Sequence, residues 1–157
     1  KSHNTPSAIA LSRQKVPYIN PKNSKENKCE KGAYVVRITS HESNVTLVAS
    51  GTEVELALKV QEKLKENNIH SKVISMPCME LFDKQPKDFR NDIIEENSLV
   101  VTLEAGSIMS WQKYIKNKGM NIGIDQFGES APYREVYEHF GLSEEKITGF
   151  IQKKLRE

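Results

Sequence analysis

The chain is poor in the residues from which small metal and redox sites are built. It holds two cysteines, Cys29 and Cys78, far apart and outside any Cys-x-x-Cys pair. Neither a zinc knuckle nor a redox dithiol is therefore indicated. Two free thiols in a reducing cytosol is the simpler reading, with a disulfide left open. The four histidines, His3, His41, His70 and His139, share no ligand spacing, so no metal site is expected. No apolar run is long enough to span a bilayer, and no signal-peptide pattern opens the chain. Glycine-rich dinucleotide loops and P-loop spacing are missing as well. So is strong charge of one sign, since the net charge is only +2. What remains is 157 residues, 37% hydrophobic and 28% charged, the profile of one soluble globular domain with a normal core. The chain opens at Lys1 rather than methionine, which reads as a processed or excised piece.

Charge is unevenly placed. Residues 1–31 hold seven Lys/Arg against two Glu, net +5, while residues 32–157 hold sixteen against nineteen, net −3. A nucleic-acid binder shows its basic face on the folded domain; here the folded part is mildly acidic, so no nucleic-acid partner is expected. The basic excess lies in Lys15, Lys22, Lys25, Lys28 and Lys31, among Pro17, Pro21 and repeated Asn. That composition reads as a solvated linker over residues 15–31.

From Gly32 onward the pattern alternates. Ala33 to Ile38 reads as a strand, and Val45 to Ala49 as a strand buried on both faces. A helix is predicted from about Glu53 to Asn67, with Val54, Ala57, Leu58, Gln61 and Leu64 as its stripe. Thr52 and Glu55 fit a capping box there. Ser71 to Met76 is a further strand, residues 86–95 a short helix, and Leu99 to Leu103 another buried strand. Ser107 to Asn117 reads as helix capped by Gly119, and residues 121–125 as a weaker strand. Pro132 opens a helix that Gly141 closes, with Val136 and Phe140 facing inward. Ser143 starts the last helix, whose stripe is Ile147, Phe150, Ile151 and Leu155; Glu144 and Glu145 lie in its first turn, and Lys153, Lys154 and Arg156 in its last. This predicts an α/β fold with a mainly parallel, doubly covered sheet. The first strand, joined to the second by a short turn, should run antiparallel.

Ligands of open α/β sheets bind beyond the carboxyl ends of strands, and three loops leave such ends. Ser50-Gly51-Thr52 could hold an anion at a helix start, but Glu53 and Glu55 follow at once and would repel it; capping is the plainer role. In Pro77 to Gln85, Cys78 has no histidine or cation placed to activate it, and it reads as a buried structural thiol. Glu104-Ala105-Gly106 ends a buried strand, with Trp111 one stretch later; a single carboxylate without a partner is weak evidence for acid catalysis. Arg13 directly follows a strand-like run, and its planar fork suits either a phosphate or a surface ion pair.

Seven words in fixed order then line up. They are Leu11-Ser12-Arg13-Gln14, Gly32-Ala33-Tyr34-Val35, Ala49-Ser50-Gly51-Thr52-Glu53-Val54-Glu55-Leu56-Ala57, Ser75-Met76-Pro77, Phe82-Asp83-Lys84-Gln85, Glu104-Ala105-Gly106 and Phe127-Gly128-Glu129-Ser130-Ala131-Pro132. With them the chain resembles the C-terminal portion of transketolase, from about Pro6 to Leu155. The resemblance implies a three-layer α/β/α domain with a five-stranded mixed sheet, mostly parallel, its first strand antiparallel. It implies residues 1–14 as the tail of the preceding pyrimidine-binding domain, with Ala8–Leu11 its last strand. Residues 15–31 would be the interdomain linker and residues 32–157 the C-terminal domain. The intact enzyme so implied is a cytoplasmic homodimer of the pentose phosphate pathway. It moves a two-carbon ketol unit between sugar phosphates with thiamine diphosphate and Mg2+ or Ca2+. The Gly-Asp-Gly…Asn-Asn metal-diphosphate stretch is absent from these residues. No catalytic, cofactor or metal residue is therefore expected in this segment, which would be structural and dimer-supporting. One functional position carries over by resemblance: Arg13, matching the arginine that holds the sugar phosphate. The rival readings are a regulatory nucleotide- or small-ligand-binding module, and the matching domain of a related thiamine enzyme.

Overall fold

A computed structural model describes residues 6, 8–12, 14–19, 27–40, 42–115 and 119–157. A 3-10 turn at Lys28–Lys31 leads into β1 (Tyr34–Ile38) and β2 (Val45–Ala49). Then come α1 (Glu53–Glu66), β3 (Ser71–Ser75), α2 (Met79–Asp83), α3 (Lys87–Ile93) and β4 (Leu99–Leu103). A 3-10 helix (Ile108–Tyr114), β5 (Met120–Ile122), α4 (Tyr133–His139) and α5 (Glu144–Lys154) complete the order.

The five strands form one sheet in the order β1-β3-β2-β4-β5. β2 runs parallel to both β3 and β4, and β4 parallel to β5, while β1 is antiparallel. The expected α/β class and mixed sheet are thus both present. β1 does not pair with β2, however. It lies at the edge against β3, and the 39–44 connection passes over the start of β3, where Thr39 N–H donates to the Ser71 carbonyl at 3.0 Å and Asn44 N–H to the His70 carbonyl at 2.9 Å. A short link can therefore skip one strand.

β2, β3 and β4 are buried at every position. One face packs Val45, Leu47, Val73, Val101 and Leu103 against Val54, Ala57, Val60 and Leu64 of α1 and Ile147 and Ile151 of α5. The other packs Val48, Ile74 and Val100 against Phe82, Ile93, Trp111 and Tyr114. This gives three layers. Area removed from water on both faces is the main driving force, about 25 cal/mol per Å² of apolar surface.

A register shift between Val35 and Arg37 sets Arg37 opposite Val73, on the α1 face. There its guanidinium reaches the Gln61 side chain, the Leu58 carbonyl at 2.9 Å and Glu62 at 2.7 Å. One extra residue re-aims a side chain in this way. At the domain's start Gly32 has φ +84, and a Cβ there would lie 2.3 Å from the Phe82 nitrogen, so only glycine fits. Gly141, φ +79, ends α4 as expected, with Leu142 N–H returning to the Tyr137 carbonyl at 2.8 Å.

Several expectations are corrected. Thr52 stands at the N-cap position, but in helical conformation and without a side-chain capping bond; its hydroxyl donates to the Glu53 carboxylate at 2.6 Å instead. The Pro77–Gln85 loop contains α2. The 107–117 helix is a 3-10 helix that ends at Tyr114, with Ile115 in extended conformation. Three-residue periodicity explains it: Ile108, Trp111 and Tyr114 eclipse, which turns Trp111 and Tyr114 together into the core. Gly119 does not cap it, and packs against Ile115. In α5, Ile147, Thr148 and Ile151 are buried, while Phe150 and Leu155 are exposed and Arg156 lies past the last turn. α1 and the sheet beneath it cover a narrower stripe than the sequence offers. Val136 and Phe140 are half-buried. Residues 8–12 form no strand and are exposed, as expected of a strand without a ladder partner.

Candidate functional site

The carboxyl ends of β2 and β4 bring three of the sequence words together. Ala49 pairs with Leu103, so Ser50 and Glu104 leave the sheet side by side. Ser50 Oγ donates to Glu104 Oε2 at 3.3 Å, and Trp111 Nε1 to the same oxygen at 3.1 Å. Glu53, first residue of α1, is 4% exposed. Its Oε1 accepts from Thr52 Oγ1 at 2.6 Å and from the Tyr137 hydroxyl on α4. Burial pushes the Glu104 carboxyl up, and the nearby charge of Glu53 adds to it, against the pull of the Trp111 and Ser50 bonds. Burial and the bond to Glu53 raise the Tyr137 phenol in the same way. Glu104 therefore has the carboxylate neighbour the sequence did not place beside it. Chain distance hides this contact: only the crossover through α1 and β3 brings residue 50 next to residue 104. The readable signals were Glu104 at a strand exit and Trp111 seven positions later.

The other positions stand apart. Cys78 is half-buried rather than buried, with Sγ 3.5 Å from a Glu80 carboxylate oxygen, and Cys29 is exposed; both are free thiols. Asp83 takes bonds from Lys113 and from the Tyr114 hydroxyl. Those bonds outweigh burial and hold its carboxyl below the usual range. The Phe127–Pro132 word is exposed throughout, Phe127 to 97%. It opens α4, whose Tyr137 bonds Glu53 in the strand-end cluster. Beside it, Asp125 accepts from Ser107 Oγ at 2.9 Å and from Ile108 N–H at 3.1 Å, fixing the start of the 3-10 helix. Arg13, His3 and His41 lie outside the described residues, whereas Ser12 and Gln14 beside Arg13 are exposed. A cleft of about 340 Å³ opens between residues 14–16, α1, α4 and the start of α5. Lys15, Lys59 and Arg134 face four glutamates across it.

Residues 32–143 match the family model described as the transketolase-like TK C-terminal domain. The chain belongs to the transketolase family. The transketolase of Aquifex aeolicus is 35% identical over 156 residues, which cover 98% of this chain and 23% of that protein. The chloroplastic transketolase of Solanum tuberosum is 38% identical over 146 residues, covering 91% of this chain and 19% of its own length. A crystal structure of a transketolase mutant from Pichia stipitis superposes with a TM-score of 0.81 at 26% identity, over 92% of this chain and 20% of that one. The chain thus corresponds to the C-terminal domain and spans about a fifth to a quarter of its relatives' length.

Among the described residues no group of three His, Cys, Asp or Glu side chains comes together as a metal-ligand set. The strand-end loop, where an α/β domain would take a diphosphate, is lined by the Glu53 and Glu104 carboxylates, which repel one. The residues lining that strand-end loop of this transketolase domain therefore do not fit a thiamine diphosphate–metal group. No helix among them is long and apolar enough to cross a membrane.

Proposed function

We propose that this domain is the scaffold of a transketolase whose reactive machinery is carried by other domains. The intact homodimer transfers a two-carbon ketol unit from a ketose phosphate to an aldose phosphate in the pentose phosphate pathway. Its cofactor is thiamine diphosphate with Mg2+ or Ca2+. The match over residues 32–143, on a chain spanning 23% of its Aquifex relative, carries this reading. In it, Arg13 grips the phosphate of the sugar, and the domain supports the dimer without turning over substrate. Two free thiols fit a reducing, cytoplasmic setting; the potato relative is chloroplastic. The cleft's balance of three cations against four glutamates does not suit nucleotide phosphates, and so gives the regulatory-module reading no support.

The test replaces the matching C-terminal quarter of the Aquifex transketolase with this chain. The chimera should transfer ketol units. Arg13→Ala within it should raise KM for phosphorylated substrates roughly 10- to 100-fold, the worth of a charge-assisted contact, and leave unphosphorylated ketoses nearly unchanged. Equal losses for both substrate classes would remove Arg13 from the phosphate role.

A further inference from the structure

We propose that the cleft between α1 and α4 anchors the segment directly following Arg13, and so positions that arginine for the sugar phosphate. The inference rests on the phosphate reading of Arg13. Cover along the chain begins just past that residue. Leu11 is 86% exposed, whereas Val16 is 50% exposed. Ile19 is half-buried and packs against the core cluster shared by α1 and the sheet, while Tyr18 between them stays exposed. Gln14, Lys15 and Val16 line the cleft itself, together with Leu56 of α1 and Tyr133 and Tyr137 of α4. Arg13 is bonded to Gln14, and adjacent Cα atoms lie about 3.8 Å apart. Whatever holds residues 14–19 therefore restricts where the Arg13 guanidinium can reach.

The cleft has braced walls. The Tyr137 hydroxyl donates to Glu53 at the start of α1, which ties α4 to α1. Lys63 and Glu145 bridge α1 to α5 at 3.1 Å, and Leu142, which also lines the cleft, is buried. Its charge suits the segment as well. The helical walls carry Glu55, Glu138, Glu144 and Glu145 against Lys59 and Arg134, an excess of two negative charges. Residues 1–31 are net +5 and residues 32–157 net −3, and Lys15 brings the basic segment into the acidic cleft. Val16 and Ile19 add apolar cover three residues apart.

A guanidinium–phosphate contact is directional, because it is made through a planar fork of N–H donors. A misplacement of about 1 Å is enough to lose much of its worth. The domain then contributes to substrate recognition without touching substrate: Val16 and Ile19 are positioning residues that act through Arg13. Releasing the segment impairs the use of phosphorylated sugars and spares unphosphorylated ones.

The test uses the chimera with the Aquifex transketolase, with Arg13→Ala as the reference. Val16→Asp adds a negative charge to the acidic cleft, and a Gly-Gly insertion between Gln14 and Lys15 uncouples Arg13 from it. Each should raise KM for a phosphorylated ketose about 10-fold. The values of kcat, KM for an unphosphorylated ketose and the melting temperature should stay nearly unchanged. Val16→Ile should behave as wild type, and so should the same insertion placed past Ile19, between Lys22 and Asn23. Equal losses for both substrate classes would overturn the positioning. A KM that rises in Arg13→Ala but not in Val16→Asp or the first insertion would overturn it too, while leaving the phosphate role intact. If Arg13→Ala spares phosphate use, the phosphate reading falls and the positioning with it. In the chain by itself, Val16 and Ile19 methyl groups should show nuclear Overhauser contacts to side chains of α1 and α4, with those of Val16 lost in Val16→Asp. Their absence from the wild-type chain would overturn the anchoring whatever the kinetics.

Discussion

The two ends of the sheet bury charge in different ways. At the amino ends, Lys72 of β3 is 2% exposed, and its ammonium meets the Glu95 carboxylate and the Asp92 carbonyl, the latter at 3.1 Å. At the carboxyl ends, buried Glu53 and half-buried Glu104 meet, among the described residues, hydroxyls and an indole. An uncompensated buried ion costs several kcal/mol. The amino end answers that cost inside the chain, with a cation–anion pair. The carboxyl end answers it, among the described residues, with neutral hydrogen-bond donors alone. The lesson is that the end where α/β sheets carry ligands is also the end whose electrostatics stay open.

The contrast can be probed by substitution, the strongest effect being at the amino end. Glu95→Ala strands the Lys72 ammonium in the core and should lower unfolding free energy by about 2–4 kcal/mol in urea denaturation. A loss under about 1 kcal/mol would mean that Lys72 reaches solvent by rearrangement, and that the two ends are less different than drawn. Tyr137→Phe removes a donor from a buried carboxylate and should cost about 1–2 kcal/mol. A neutral outcome would say that Thr52 alone suffices for Glu53.

Glu104→Gln should act in the opposite sense. The Glu104 carboxyl is raised above its ordinary 4.5, so the native state binds more protons than the unfolded one. Its contribution is fully present below that ordinary value and is lost as pH rises through the raised one. The amide oxygen still accepts from Trp111 and Ser50. The variant should therefore melt slightly higher than wild type at neutral pH and show a flatter stability profile across that window. A steeper profile, or none in wild type, would count against the open carboxyl end. The smallest effect belongs to the exposed Lys63–Glu145 bridge, 3.1 Å long between α1 and α5. Lys63→Ala should leave the melting temperature within error, because exposed pairs are screened.

Much of the fold could be read from residue order. Unbroken apolar runs marked β2 and β4, and the direction of β1 followed from its short link. Its neighbour did not, because strand order depends on how crossovers stack, a long-range property with no local signature. The stretch from Ser107 to Asn117 reads as helix, and its apolar residues fall three apart, the spacing of the 3-10 form found over Ile108–Tyr114. The buried stripe of α5 is narrower than its apolar residues, because its width is set by what packs on it. At the candidate site, Glu104 and the Ser-Gly-Thr-Glu word stood out separately. Their union, and the part of Tyr137, needed the tertiary fold. Arg13 drew its meaning from resemblance alone.

The central claim is that this domain supports ketol transfer without performing it. The most direct measurement is a ketol-transfer assay on the chain by itself, with a ketose phosphate donor, an aldose phosphate acceptor, thiamine diphosphate and Mg2+. The account predicts turnover indistinguishable from a blank without protein. Measurable transfer by the purified chain would contradict it, because it would place the reactive machinery within these residues.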